Sequence, residues 1–298
     1  MALNEKVVRK LIETQEEIVE ISLNPKILEF LHEDLGSGDI TTDSIIDAGK
    51  YVNAKIVCKD RAIISGVEES ILTFNILKCS AQALVKDGDI VKSNTDIIKI
   101  HGKARSILKA ERTSLNILGR MSGIATETNK LVEEAKKVNR NIRVAATRKT
   151  LPGFRIFDKK AVKTGGGDTH RFRLDDAVLI KDNHLKITGS IASTIKLARK
   201  KISFIKKIEV EASTVEEVLE AAEAGADIVL LDNMIPKEVS KVITILKERQ
   251  LRKKVFLEAS GGIRAENIVA YSKTGVDVVS LGAITHSVKN IDFGLDIV

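Results

Sequence analysis

Aromatic residues and cysteines are scarce in this sequence of 298 residues, which has no tryptophan, two tyrosines, eight phenylalanines and two cysteines. Both cysteines, Cys58 and Cys79, lie inside or beside apolar runs, without CxxC spacing and without a neighbouring histidine. That placement argues against a disulfide framework and against a cysteine-based metal site. We expect both residues to be inert thiols in or near a hydrophobic core.

The amino terminus lacks an uninterrupted apolar run. Its first residues, MALNEKVVRKLIETQEEIVEISL, mix both charge signs in an amphipathic pattern that predicts a helical extension over residues 1–23. A signal peptide or a membrane span requires a longer apolar stretch than this one. We therefore expect a cytoplasmic protein that does not bind to a membrane.

Basic charge is not spread along the chain. The formal net charge is +7, and residues 140–186 hold twelve basic and five acidic residues, so the remainder balances to zero. A nucleic-acid-binding surface usually combines an extended basic face with aromatic side chains that stack on bases. The sequence therefore argues against this class. It stays the alternative from a different functional class, and salt-dependent DNA binding without turnover would support it.

The chain is long enough for two unequal domains, since α/β barrels reach about 200 to 250 residues as single domains. Residues 24–116 predict an α/β-sandwich (α+β) domain. A helix ends at a turn that contains Gly36 and Gly38, and short alternating runs over 51–103 predict an antiparallel sheet packed on helices. The final residues 287–298 alternate like a strand but have no following helix, so we expect them to join this domain.

Residues 117–286 follow a different rhythm, in which apolar strand-like runs alternate with helical patterns of about 10 to 15 residues. This rhythm predicts an α/β barrel, incomplete and TIM-like, of about six parallel strands. The strand candidates are IRVAAT, AVLIKD, KIEVEA, IVLLDN, VFLEAS and VVSLGA.

Basic side chains cluster near the predicted strand ends or in the glycine-rich loop between two of them. At the carboxyl ends of barrel strands, where active sites form, such a cluster suits an anion with several negative groups, and arginine binds a carboxylate bidentately. Taken singly, each residue would be interpreted as an exposed surface charge. The five residues are Arg148, Lys149, His170, Arg171 and Lys181.

Carboxylates and glycines complete the predicted strand ends. Glu211 and Asp232 end successive strands, where they would hold Mg²⁺ or sugar hydroxyls, although an ion pair or a capping role is the alternative. The Ser260–Gly262 segment and Gly282 follow the last two strands and suit a phosphate held by backbone N–H groups, or a tight turn. Glycines 165–167 form either a loop that closes over substrate or a flexible connection.

Seven motifs follow one another along the chain: EDLGSGDITT, ERTSLNILGRMSGIAT, ATRKTLPGFR, KTGGGDTHRFRLDDAVLIKDNHL, EVEA, LLDNM and SGGI. In their order and spacing they resemble the quinolinate phosphoribosyltransferase family, also called nicotinate-nucleotide pyrophosphorylase (carboxylating). The resemblance covers the chain from about residue 24 to its end. Leu151 is a departure, because many members have threonine there.

The resemblance implies an enzyme of NAD biosynthesis that transfers a phosphoribosyl group from phosphoribosyl pyrophosphate to quinolinate, with Mg²⁺, and releases carbon dioxide. It implies a homodimer, with larger homo-oligomers left open, in which Arg112 reaches the partner's site. It assigns catalysis to Lys149, Lys181, Glu211 and Asp232, with the last two also at the metal. By resemblance, substrates contact Arg112, Arg148, Lys149, His170, Arg171, Lys181, Glu211, Asp232, Ser260, Gly261, Gly282 and His286.

The acceptor ring is the least constrained part of this interpretation. The residues define the binding site for anions better than they define the ring that receives the phosphoribosyl group. A related phosphoribosyltransferase with another acceptor is therefore the near alternative.

Overall fold

The computed structural model describes residues 23–298, so the extension predicted over 1–23 lies outside the described residues except for Leu23. The chain forms two compact units. Within the described residues, one comprises 23–123 with Lys289–Val298, and the other comprises Ile124–Val288. The boundary falls inside one long helix.

The elements follow one another along the chain as numbered here. The helices are α1 (23–35), α2 (Ile40–Ile45), α3 (Val67–Ile76), α4 (Ala104–Lys136), α5 (Arg155–Thr164), α6 (Asp182–Thr188), α7 (Ile191–Lys201), α8 (Val215–Glu223), α9 (Pro236–Glu248), α10 (Ile268–Lys273) and α11 (Ala283–His286). The strands are β1 (Tyr51–Cys58), β2 (Ala62–Ile63), β3 (Ser80–Ala83), β4 (Ile90–Val91), β5 (Thr95–Lys103), β6 (Arg143–Ala145), β7 (Val178–Ile180), β8 (Ile208–Ala212), β9 (Ile228–Asp232), β10 (Phe256–Ser260), β11 (Val278–Ser280) and β12 (Phe293–Ile297).

An antiparallel sheet of order β12-β1-β5-β3 organises the first unit. Strand β5 shows why one face is buried: Ile98 and Ile100 alternate with the exposed Lys99 and His101, as the period of two in a strand requires. The inward residues pack with side chains of α3 and α4, such as Phe74, in one hydrophobic core. Strand β12 pairs with β1, so the carboxyl-terminal residues belong to this sheet.

A parallel sheet of order β6-β11-β10-β9-β8-β7 organises the second unit. All six predicted strand runs form strands of this sheet. A single backbone bridge joins Ala145 to Asp168 beside β6. With six strands rather than the eight of a complete barrel, the unit is the incomplete TIM-like barrel that the sequence predicts.

The helices between the strands start where the sequence supplies capping groups. Ser190 caps α7, and Thr214 caps α8 in a capping box with Glu217. Pro236 begins α9, where its missing N–H costs no hydrogen bond. The apolar stripes of these three helices are buried, with Ile195 of α7, Val218 of α8 and Val242 of α9 among their residues.

The amino ends of the strands are tied by two aspartates in equivalent positions. The Asp227 carboxylate accepts from the backbone N–H of Ile208 at 2.8 Å and pairs with Arg199. The Asp277 carboxylate accepts from the N–H of Leu257 at 2.8 Å and pairs with Arg252. These contacts fix the end of the sheet opposite to the carboxyl ends of its strands.

None of the helices within residues 23–298 combines the length and the apolar composition that crossing a bilayer requires.

Candidate active site

A cavity of about 650 Å³ opens at the carboxyl ends of the parallel strands. Parallel register places these ends side by side, with Ser260 opposite Asp232 on one side and opposite Ser280 on the other. The residues that line the cavity are Ala146, Thr147, Arg148, Lys149, His170, Arg171, Leu179, Lys181, Glu211, Leu230, Asp232, Asn233, Glu258, Ser260, Gly261, Gly262 and Ser280.

Residues two apart on a strand share one face, so each strand contributes to the cavity at two depths. We call the outer level the rim and the inner level the floor. Lys181, Glu211, Asp232 and Ser260 form the rim at the strand ends. Leu179, Leu230 and Glu258 lie two positions before rim residues and form the floor. Ser280, at the end of β11, also belongs to the floor. Glu209 occupies the equivalent position two residues before Glu211 and is 2% exposed. The base of the site is therefore partly acidic.

Thr147, Arg148 and Lys149 follow one residue after the end of β6. The Lys149 backbone N–H donates to Thr147 Oγ1 at 3.1 Å, and its carbonyl accepts from the Thr285 hydroxyl at 2.8 Å. Arg148 is half-buried, and its Nε is buried without a hydrogen-bond partner among residues 23–298. An unsatisfied buried donor costs free energy, so the Arg148 guanidinium is available to an anionic ligand.

Two buried carboxylates hold His170. Its Nε2 lies 3.2 Å from Glu258 Oε2 and 3.6 Å from Glu209 Oε2, and the side chains are 18%, 3% and 2% exposed respectively. The Glu209 Oε1 has no hydrogen-bond partner within the described part of the chain. The imidazole is thus fixed from the floor of the cavity that it lines.

This arrangement keeps His170 charged. Burial opposes the imidazolium, but the contacts with Glu209 and Glu258 outweigh it and raise the pKa of His170 from 6.5 to about 10. Burial also raises the pKa of Glu209, against the effect of His170. At neutral pH, His170 therefore adds a positive charge to the cavity wall.

Arg171 supplies a second guanidinium. Its Nη1 donates to the carbonyl of Ala177 at 3.1 Å, which fixes the side chain. Burial and the neighbouring Arg148 lower the pKa of Arg171, which stays far above neutrality for a guanidinium. Because the guanidiniums of Arg148 and Arg171 repel each other, an anion bound beside both would relieve the repulsion.

Two carboxylates on the rim already have neighbours. Glu211 Oε2 accepts from Lys181 Nζ at 2.5 Å, and Asp232 Oδ2 accepts from the Asn233 side chain at 2.7 Å. The Lys181 side chain is 47% exposed and that of Glu211 is 13% exposed. A ligand that enters the cavity meets both charge signs on one rim.

Backbone geometry explains the glycine that follows β10. Gly261 has a φ of +90°, and a Cβ there would lie 2.9 Å from the backbone nitrogen of Asn233 and closer still to its side chain. Asn233 itself has a φ of +56° and donates its N–H to the Ser260 carbonyl at 2.9 Å. Only glycine allows these two strand ends to approach so closely.

Three predicted site residues lie outside the lining of the cavity. Gly282 and His286 stand behind Lys149, and a Cβ at Gly282 would lie 2.9 Å from Lys149 Cδ and 3.0 Å from the His286 ring. Arg112 is exposed on α4 in the other compact unit. The nine other predicted residues line the cavity.

The glycine triplet 165–167 serves close packing. A Cβ at Gly165 would collide with the Ala125 carbonyl and the Thr128 side chain, and one at Gly167 would lie 2.9 Å from Val162. Gly165 follows α5 directly, and Asp168 pairs with the backbone beside β6. The triplet therefore packs the chain tightly just before His170.

The acidic residues of the floor were not predicted from the sequence. Glu209 and Glu258 precede the rim residues Glu211 and Ser260 by two positions, and this spacing is the signal that would have placed them inside the barrel. Thr147 and Ser280 were also missed, although Thr147 lies next to a predicted residue and Ser280 ends a strand. The buried Lys159, at 0% exposure, gave no signal beyond its place in a helix.

Comparisons with known proteins agree with this architecture. The family model described as quinolinate phosphoribosyl transferase, C-terminal domain, matches residues 124–296, and the model of its N-terminal domain matches residues 39–122. A protein of Methanocaldococcus jannaschii, named "Probable nicotinate-nucleotide pyrophosphorylase [carboxylating]", is 48% identical over 92% of this chain and 95% of its own. The protein of Methanothermobacter thermautotrophicus with the same name is 46% identical over 91% and 97%.

A solved structure gives the same result. The nicotinate-nucleotide pyrophosphorylase from Francisella tularensis superimposes with a TM-score of 0.85 at 39% identity, covering 93% of this chain and 96% of that one. Both compact units, with nearly all of the described residues, therefore have counterparts in these proteins. The chain belongs to the quinolinate phosphoribosyl transferase family.

Proposed function

We propose that this chain is a quinolinate phosphoribosyltransferase. It combines quinolinate with phosphoribosyl pyrophosphate and yields nicotinate mononucleotide, pyrophosphate and carbon dioxide, a step of NAD biosynthesis. The observation that carries the proposal is one cavity in which Arg148, His170 and Arg171 lie beside the rim pair of Lys181 and Glu211. The compartment we expect for this small-molecule chemistry is the cytoplasm.

The cations suit the dicarboxylate. Quinolinate has two adjacent carboxylates on its pyridine ring, and planar guanidiniums bind carboxylates bidentately. The charged His170 adds a donor whose orientation the floor carboxylates fix. Arg148, His170 and Arg171 would thus hold the ring with its nitrogen directed towards the sugar.

The remaining lining suits phosphoribosyl pyrophosphate. Lys149 and Lys181 supply positive charge for phosphate oxygens, and the turn at Gly261 and Gly262 exposes backbone to a phosphate. As the bond to pyrophosphate lengthens, the ribosyl carbon becomes positive and the quinolinate nitrogen attacks it. Positioning and electrostatic stabilisation account for most of such a reaction.

Loss of carbon dioxide follows from the new bond. Attack makes the ring nitrogen a pyridinium, which stabilises the electron pair left at the adjacent carbon when its carboxylate departs as carbon dioxide. A proton then replaces the carboxylate, and the other carboxylate remains as that of nicotinate. The step needs no further cofactor.

The carboxylates on the rim fit Mg²⁺. Glu211 and Asp232 line the same cavity, and one oxygen of each has a described partner, which leaves the other for a ligand. Mg²⁺ is commonly bound by one or two carboxylates together with substrate phosphates. When bound, the ion would neutralise charge on the pyrophosphate.

We expect Glu211→Gln and Asp232→Asn each to raise the Mg²⁺ concentration for half-maximal activity by about tenfold or more, since losing even a supporting partner costs that much metal affinity. Initial rates over a Mg²⁺ titration measure the change. Glu216→Gln, exposed at the start of the following helix, is the matched control. An unchanged Mg²⁺ response in both variants would contradict the assignment.

In this proposal, a second subunit contributes Arg112 to the site. This arginine is exposed on α4 and does not line the cavity, while the family resemblance assigns it to the site of a partner. A homodimer in which Arg112 of one subunit completes the other's site fits both facts. Symmetric dimers are the commonest soluble oligomers.

Complementation tests this contribution. Arg112→Ala and Lys181→Ala should each be nearly inactive alone, and co-expression should restore activity because one site of the mixed dimer keeps both side chains. A mixture of Arg112→Ala with the double variant Arg112→Ala/Lys181→Ala is the control, since none of its sites is intact. If the first mixture is no more active than its components, the shared site is wrong.

An acceptor comparison tests the function itself. Purified enzyme with Mg²⁺ and phosphoribosyl pyrophosphate should form nicotinate mononucleotide from quinolinate, with little nucleotide formed from nicotinate. The reverse preference would assign the chain to the related reaction with another acceptor.

A further inference from the structure

Lys159 is a lysine in the interior of the barrel unit, which is an unusual place for an ammonium group. It lies on α5 with 0% of its surface exposed. Burying a charge without compensation is costly, so buried lysines are rare unless hydrogen bonds or ion pairs satisfy them. Burial, together with the nearby Arg155, lowers the pKa of Lys159 to about 8. The fold therefore retains this group at a cost.

The contacts of the ammonium converge on one short segment. Lys159 Nζ donates to the Thr169 carbonyl in a close contact and to the Arg171 carbonyl at 3.3 Å. It also lies 5.7 Å from the centre of the Phe172 ring, within reach of a cation–π interaction. The two carbonyls flank His170 on either side.

His170 needs such support, because its backbone is in a conformation that side chains rarely adopt. Its φ is +52°, in the left-handed region. Its N–H donates to the Asp168 side chain at 2.8 Å. Strained residues persist where the surrounding structure determines their geometry and often lie in functional sites. Here Lys159 holds the backbone and Glu258 holds the side chain.

We propose that Lys159 is a positioning residue of the enzyme, which holds the segment 168–172 from behind so that His170 and Arg171 present their cationic side chains to the carboxylates of quinolinate. The inference rests on the proposed function for the identity of the ligand. Lys159 does not line the cavity, and it acts through the two residues that do. Residues that suit phosphoribosyl pyrophosphate, such as Lys149 and Lys181, lie outside this segment, beyond the ends of β6 and β7.

The test compares Lys159→Met with Lys163→Met, which removes an exposed lysine from the same helix. Methionine fills a similar volume without donors. Kinetics with each substrate varied in turn should give a quinolinate KM about 10- to 100-fold higher in Lys159→Met, as expected for a misplaced binding group. The KM for phosphoribosyl pyrophosphate should stay near that of the control. Equal increases in both KM values would overturn the inference, because they indicate general damage.

Amide hydrogen exchange supplies a readout that needs no activity. Peptides covering 168–173 should exchange faster in Lys159→Met than in Lys163→Met, while peptides from β8 and β9 stay alike. Unchanged exchange in 168–173 would overturn the inference. Should Lys159→Met not accumulate as folded protein, Lys159→Gln keeps one amide donor and should show the same changes to a smaller degree. If the wild type forms no nicotinate mononucleotide, the proposed function fails, and exchange still decides the role of Lys159.

Discussion

Replacing Arg148 with alanine should lower kcat/KM for quinolinate by about 10- to 150-fold, the equivalent of one charge-assisted hydrogen bond of about 1.5 to 3 kcal/mol. The reason is that Arg148 lines the cavity and its Nε is buried without a hydrogen-bond partner among residues 23–298. The free enzyme therefore has little to lose structurally when this side chain is removed. Steady-state kinetics at saturating phosphoribosyl pyrophosphate measure the change.

Arg140→Ala provides the matched control for this substitution. Arg140 is exposed before the amino end of β6, whereas Arg148 follows the carboxyl end of the same strand. Thermal unfolding should be similar for both variants. A quinolinate response in Arg148→Ala that equals that of Arg140→Ala would contradict the role of Arg148.

Replacing Glu258 with glutamine should make quinolinate binding depend on pH in the neutral range. The substitution keeps the size of the side chain but removes the charge that lies 3.2 Å from His170 Nε2. The pKa of His170, about 10 in the wild type, should then fall. At pH 8, the loss of the imidazolium should reduce kcat/KM for quinolinate by about tenfold or more, since contacts to charged groups are about twice as strong as neutral ones.

The direction of the pH effect follows from the raised pKa. A histidine whose pKa rises from 6.5 to about 10 on folding stabilises the fold fully below pH 6.5, and this contribution is lost as the pH rises through 10. In Glu258→Gln, the lower pKa of His170 should cause this contribution to stability to be lost at a lower pH than in the wild type. Titration of the His170 ring protons by NMR reports the pKa directly, and Glu248→Gln, exposed at the end of α9, serves as control. A His170 pKa that does not move would show that Glu258 does not hold the charge.

Strand ends were the most predictable part of the site. Each of the runs such as IVLLDN changes from apolar to polar residues where the strand leaves the core, and parallel pairing brings these ends together. Lys181, Glu211 and Asp232 could therefore be placed on one rim without coordinates. The same argument placed Ser260 and Gly261, since they end the neighbouring strand.

The two-residue spacing indicates which strand residues face the barrel interior, but the contacts that the floor and its supporting residues make could not be predicted in the same way. Glu258 lies within an apolar run, and its contact with His170, 88 positions away in the chain, explains how its carboxylate is tolerated in the interior. Lys159 is one of several basic residues in α5, and its interior position depends on how that helix packs. Such contacts between distant segments have no local sequence signal. Arg112 was named only through the family resemblance.

Release of carbon dioxide tests the central claim most directly. Quinolinate labelled in the carboxylate next to the ring nitrogen is incubated with the enzyme, Mg²⁺ and phosphoribosyl pyrophosphate, and labelled carbon dioxide is measured against nicotinate mononucleotide. We predict one carbon dioxide for each nucleotide, and none when phosphoribosyl pyrophosphate is omitted. Label that stays in the nucleotide, or that is released without phosphoribosyl pyrophosphate, would contradict the proposed reaction.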